Sequence, residues 1–256
     1  MPNVDLAEHA SVSEGSPHLS GYLATPSTPG PWPGVVVVHE AFGINDVMRR
    51  QADRLAAAGY LALLPDLYSE GGARRCLVAT MRAMTSGQGR AWNDLQAARA
   101  ALLASPDCTG KIGIIGFCMG GAFALLSANK GYDAAAPNYG ALPKDLDAAL
   151  ADACPVVASY GGKDITLKGA AAKLESALTG AGVIHDVKED PAAGHSFLND
   201  GPAGPGWLGP LLRVAHIGPE PVSARDAWQR IDAFFDEHLH GTPTGQTGAA
   251  DMVDVD

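Results

Sequence analysis

The run Lys111-Ile-Gly-Ile-Ile115, apolar and rich in β-branched residues, meets a helix-forming segment, Ala122 to Ala128, across only six residues, Gly116-Phe-Cys-Met-Gly-Gly121. A strand of that composition, covered on both faces, joined so closely to a helix, demands a tight turn. Gly116 and Gly120 stand two residues either side of Cys118, where strand and helix pack too closely for side chains. This is the Gly-x-Ser-x-Gly nucleophile turn with cysteine in the serine's place. A thiol held at a helix N-terminus faces unpaired amides and the positive end of the helix dipole, which favour a thiolate and can bind an oxyanion. Read alone, the pattern also fits a buried structural cysteine.

The rest of the 256-residue chain repeats the same alternation. The four valines Val35 to Val38 form a central strand, followed by a helix capped by Asn45 and running to about Ala58. Further strands are expected at His18 to Ala24, Tyr60 to Leu64, Asp133 to Pro137, Pro155 to Tyr160 and Val183 to Lys188. Helices are expected over Met81 to Ala104, Leu167 to Leu178 and Ser223 to Leu239, with Ser69 to Arg75 as a loop. Gly201 to Pro221 reads as a long irregular loop. Residues 1–240 are expected to form one α/β domain with a mostly parallel central sheet and helices on both faces, and 241–256 a disordered tail.

Composition narrows the function. A net charge of −10 disfavours a nucleic-acid surface and leaves any anionic substrate in need of a local cationic pocket. Four cysteines without a Cys-x-x-Cys pair fit a reducing, cytoplasmic setting, and no apolar run approaches the length of a membrane span. No metal-ligand spacing, phosphate loop or dinucleotide fingerprint is present, so neither a metal nor a cofactor is expected.

In parallel sheets, functional loops gather at the carboxyl ends of the strands, and Glu40, Cys118, Asp164 and His195 all fall there. A thiol nucleophile needs a base, and the base a third group to orient it. Cys118, Asp164 and His195 supply them in the chain order nucleophile, acid, histidine, as in α/β-hydrolases. Glu40, following four valines, is placed to be desolvated and to exchange a proton with a neighbouring thiol.

The segments His39-Glu-Ala-Phe-Gly-Ile-Asn45, Gly59-Tyr-Leu-Ala-Leu-Leu-Pro-Asp-Leu-Tyr68, Gly116-Phe-Cys-Met-Gly-Gly121, Asn138-Tyr-Gly140, Gly161-Gly-Lys-Asp164 and Ala193-Gly-His-Ser-Phe197 resemble the dienelactone hydrolase family of α/β-hydrolases. The resemblance implies an α/β-hydrolase fold and hydrolysis of a small ester or lactone by Cys118, with His195 moving the proton and Asp164 orienting it. It implies that Glu40 keeps the resting thiol neutral, that the amides of Met119 and Ala41 form an oxyanion hole, and that Tyr139 lies near the substrate. The family's carboxylate-binding arginine after His-Ser-Phe is missing. Leu198 and Asn199 stand in that stretch, so Asn199 becomes a candidate substrate contact and Arg74 or Arg75 the candidate cation. The expected partner is a small-molecule ester or lactone, with no nucleic acid or membrane, acting on a monomer or homodimer. A catalytically inactive relative that binds ligands or senses oxidants through Cys118 is the alternative.

Overall fold

The computed structural model describes residues 3–9, 14–202 and 215–240. Eight strands form one sheet: β1 (Asn3–Asp5), β2 (Ser20–Ala24), β3 (Trp32–Val38), β4 (Leu61–Pro65), β5 (Cys108–Phe117), β6 (Ala134–Asn138), β7 (Val156–Gly161) and β8 (His185–Asp190). Their spatial order is β1-β2-β4-β3-β5-β6-β7-β8. Pairing is antiparallel for β1 with β2 and β2 with β4, and parallel from β4 through to β8. The mostly parallel sheet read from the sequence is therefore present, with an antiparallel flank that includes a three-residue edge strand, β1, not foreseen there.

The helices are α1 (Asp46–Ala57), α2 (Ala73–Ser86), α3 (Arg90–Ala104), α4 (Met119–Ser127), α5 (Leu146–Leu150), α6 (Ala170–Ala181) and α7 (Pro221–Phe235), the last continuing as a π turn over Asp236–His240. Alternation along the strands divides the core. Val36, Val38, Ile112 and Ile114 face one layer with α2, α3, α4 and α6, whereas Val35, Val37, Ile115 and Phe117 face α1 and α7. Asn45 caps α1 by accepting from the Met48 amide at 2.9 Å, as its side chain predicts.

Two readings are corrected. The helix expected over Met81 to Ala104 is two helices, because Gly87 adopts φ +71° and Gly89 φ +115°, which ends α2 before α3 begins. Helix α2 also starts eight residues earlier than Met81, absorbing Arg74 and Arg75 from the expected loop. The expected tail over 241–256 and the central part of the Gly201 to Pro221 loop lie outside the described residues. No helix among the described residues is long and apolar enough to cross a membrane.

At the edges, β1 offers three residues, and β8 carries Asp186, Lys188, Glu189 and Asp190. Helix α7 ties β8 down: Arg230 Nε lies 2.8 Å from Asp186 Oδ2, and Lys188 Nζ 2.8 Å from Asp226.

Candidate active site

Strand β5 delivers Cys118 into the turn at φ +55°, ψ −114°, a conformation that costs a non-glycine residue about 1–3 kcal/mol. The packing leaves no relaxed alternative. A Cβ on Gly116 would lie 1.9 Å from the Gly120 carbonyl oxygen, and one on Gly120 2.1 Å from that of Val38. The Cys118 amide donates to the Asn138 carbonyl at 3.1 Å, fixing the turn to the end of β6. Cys118 itself is partly exposed at the N-terminus of α4.

Asp164 and His195 follow β7 and β8, on the same edge of the sheet as Cys118. His195 Nδ1 is 2.5 Å from Asp164 Oδ2, which leaves Nε2 for the nucleophile side. The other Asp164 oxygen accepts from the Thr166 amide at 2.9 Å and the Thr166 hydroxyl at 2.6 Å, so the buried carboxylate is engaged at both oxygens. Burial works against an ionised Asp164, but the bonds from His195 and Thr166 prevail and hold it below the ordinary value. For His195, burial disfavours the imidazolium, yet hydrogen bonding and charge from Asp164 and Cys118 push it up to about 10.

Glu40 is buried at the end of β3. Its carboxylate accepts from Ser196 Oγ at 2.8 Å and from Asn199 Nδ2 at 3.2 Å to each oxygen. Burial raises its pKa; the bonds from Ser196 and Asn199 and the charge of His195 pull in the other direction without cancelling it. Ser196 takes φ +60° to make this contact, so the turn that presents His195 also holds Glu40.

Three positioning side chains lie behind these groups. His39 is fully buried, its Nδ1 2.7 Å from the Glu40 carbonyl oxygen and its Nε2 accepting from the Leu67 amide at 3.3 Å. That pattern fixes a neutral imidazole with the proton on Nδ1, in line with the downward push of burial on its pKa. Tyr68 donates to the Ala41 carbonyl at 2.9 Å and touches the Met119 sulfur at 3.7 Å, linking the two residues whose amides were expected to form the oxyanion hole. Neither the Ala41 nor the Met119 amide donates to a protein acceptor among the described residues. The third side chain is Thr166. An Asp-x-Thr spacing, and the histidine directly before Glu40, were the available signals for two of these; nothing local marks Tyr68.

The expected substrate contacts are distributed differently. Tyr139 and Asn199 are both buried, and the phenol ring packs 5.2 Å from the His195 ring and 5.7 Å from Phe197, centroid to centroid. The Tyr139 hydroxyl and the Asn199 Oδ1 have no hydrogen-bond partner among the described residues. Burial, with Glu40 and Cys118 nearby, raises the phenol well above its usual range. Arg74 is exposed and lines a cleft that begins at Ala41. Arg75 does not line it. Among the described residues no group of three or more His, Cys, Asp or Glu side chains is placed to hold a metal ion.

The sequence pattern of the dienelactone hydrolase family matches residues 19–239. The chain is 31% identical over 210 residues to carboxymethylenebutenolidase of Pseudomonas putida, covering 78% of this chain and 89% of the relative. It is 29% identical over 234 residues to carboxymethylenebutenolidase of Rhodococcus opacus, covering 85% and 86%. Among solved structures, a dienelactone hydrolase-like promiscuous phosphotriesterase from metagenomic libraries superposes with a TM-score of 0.75 at 25% identity, over 93% of this chain and 98% of that one. A match over most of the chain, in sequence and in backbone, places this protein in the dienelactone hydrolase family of α/β-hydrolases.

Proposed function

We propose that this hydrolase cleaves small esters or lactones with Cys118 as nucleophile. The observation that carries the reading is the strained Cys118 turn beside a 2.5 Å His195–Asp164 hydrogen bond, on neighbouring loops of one sheet edge. In the first half-reaction sulfur bonds to the carbonyl carbon with its proton held on His195 Nε2, whose pKa is pushed up to about 10. Charge that develops on the carbonyl oxygen is met by the amides of Met119 and Ala41. Collapse breaks the C–O bond, and the imidazolium returns its proton to the departing alkoxide. Water then attacks the thioester, His195 takes its proton, and the acid leaves with Cys118 regenerated.

Asp164, held by Thr166, would keep His195 in the tautomer that this cycle needs and stabilise the imidazolium. Glu40, engaged by Ser196 and Asn199, leaves the sulfur to His195; turned toward the sulfur, the same carboxyl would share its proton and hold the thiol at rest. Tyr68 would keep the two oxyanion donors in register.

Steady-state hydrolysis of a chromogenic short-chain ester tests the reading. Cys118→Ala should lower kcat by several orders of magnitude, because the members of such a unit fail together. Retained turnover in that variant refutes the mechanism. One equivalent of a mild alkylating reagent should block Cys118 before Cys76, which is buried, and before Cys154, whose thiol burial pushes up to about 12. Stoichiometric labelling without turnover on any ester would favour a ligand-binding or thiol-sensing role instead.

A further inference from the structure

A cleft of about 670 Å³ opens directly from Ala41, whose amide is one of the assigned oxyanion donors. Its walls are apolar over most of their extent: Ala41, Phe42, Val47, Ala73, Leu77 and Pro202. Phe42 is 42% exposed and lines the cleft. The volume suits an aromatic ring or a branched chain.

Charge around the cleft argues in the same direction. Arg50 is taken by Asp200 through contacts of 2.5 and 2.7 Å, and Arg49 lies 3.2 Å from Asp46, which itself borders the cleft. Arg74 lines the cleft but is exposed, so a pairing with an anion there is weak and screened. Among the described residues that line the cleft, Arg74 is the one cation and Asp46 the one acid. A carboxylate entering the cleft would lose water and gain no buried cation from its lining residues. An uncharged group loses nothing of the kind and gains from leaving water.

We propose that this cleft receives an uncharged, apolar group of the substrate, an aryl or branched alkyl group, and that the enzyme selects neutral esters over esters carrying a carboxylate. The proposal rests on Cys118 as nucleophile, since that assignment makes Ala41 the border between cleft and reacting carbonyl.

The test compares kcat/KM for phenyl acetate, its carboxylated counterpart 4-acetoxybenzoate, and methyl acetate, each normalised to its uncatalysed rate. Phenyl acetate should exceed 4-acetoxybenzoate by at least about tenfold, the factor that one poorly solvated charge readily produces. Phe42→Ala and Leu77→Ser should each penalise phenyl acetate roughly five- to tenfold more than methyl acetate, the usual worth of a few buried carbons. Arg74→Ala should shift the two aryl esters alike. A preference for 4-acetoxybenzoate, or a loss on Arg74→Ala confined to it, would overturn the proposal and make Arg74 an anion anchor. These results are separable from failure of the underlying mechanism: if Cys118→Ala leaves all three rates intact, the nucleophile assignment falls, whereas inverted selectivity with Cys118-dependent turnover sinks only the cleft assignment.

Discussion

Two buried acids in this site respond to their surroundings with opposite sign. Burial raises Glu40, and an acid whose pKa is higher in the fold than in the unfolded chain costs stability as pH climbs through the unfolded value, because the unfolded chain ionises first. Glu40→Gln removes that cost. Its melting temperature relative to the parent should improve steadily as pH is raised from about 4 toward neutrality, near and above the ordinary glutamate pKa. A variant that falls further behind over that range contradicts the assignment. Asp164 behaves conversely: its depressed pKa contributes stability that is present above the ordinary aspartate value and lost as pH falls through the lower folded one. The deficit of Asp164→Asn should therefore shrink in acid. Tyr139 gives a third case. Its hydroxyl is buried without a partner among the described residues, so Tyr139→Phe should raise stability by about 1 kcal/mol in denaturant melts, the desolvation cost of an unmade bond. Cys118, Asp164 and Glu40 could be placed at strand ends from sequence because each follows an apolar run, whereas His195 follows the largely charged strand β8 and was found by its place in the order nucleophile, acid, histidine. Tyr68 could not: its bonds to Ala41 and Met119 join positions 27 and 51 residues away, and no local pattern encodes them.

Among the elements, the strand-turn-helix unit at Cys118 is the most tightly specified. Gly120→Ala places a methyl 2.1 Å from a carbonyl oxygen of β3, where only backbone can move, so soluble yield and activity should both collapse. Gly180 is the informative contrast. It lies inside α6 with ordinary helical backbone and open space around its Cα, so Gly180→Ala should stabilise by roughly 0.5–1 kcal/mol through helix propensity alone. Equal effects of the two substitutions would mean that turn packing does not govern the elbow. The division between α2 and α3 was hidden because helical periodicity continues in phase on either side of Gly87-Gln-Gly89, and only positive-φ backbone breaks it. Helix α5 escaped for a simpler reason: five residues are too few to show a period, and Asp145, which caps it through the Ala148 amide, is equally at home in a turn.

At the scale of the molecule, one sheet separates two apolar layers, with Trp92 buried in one and Trp228 in the other. The expectation of one domain over residues 1–240 then has a direct consequence. Fluorescence of Trp92→Phe and Trp228→Phe variants, each corrected for its own stability, should trace the same denaturant midpoint as circular dichroism. Distinct midpoints would divide the layers into separate folding units. Opposed layers were legible from the unbroken apolar runs Val35 to Val38 and Ile112 to Ile115, which need cover on both faces; the antiparallel flank was not, since three residues of β1 carry no pattern and gain their place only by pairing with β2.

The two flanks of the sheet bear on how the protein behaves when crowded. A strand from a neighbouring copy that sought to lengthen the sheet beyond β8 would have to lay its amides beside Asp186, Lys188, Glu189 and Asp190, with Arg230 and Asp226 already tethering that row. At the far flank it would find a template only three residues long. Ionised side chains and short edges are the means by which folded β-proteins deter fibre growth. Concentrated solutions should therefore resist cross-β stacking while the fold is intact, and aggregation should begin only once the valine-rich interior is laid bare.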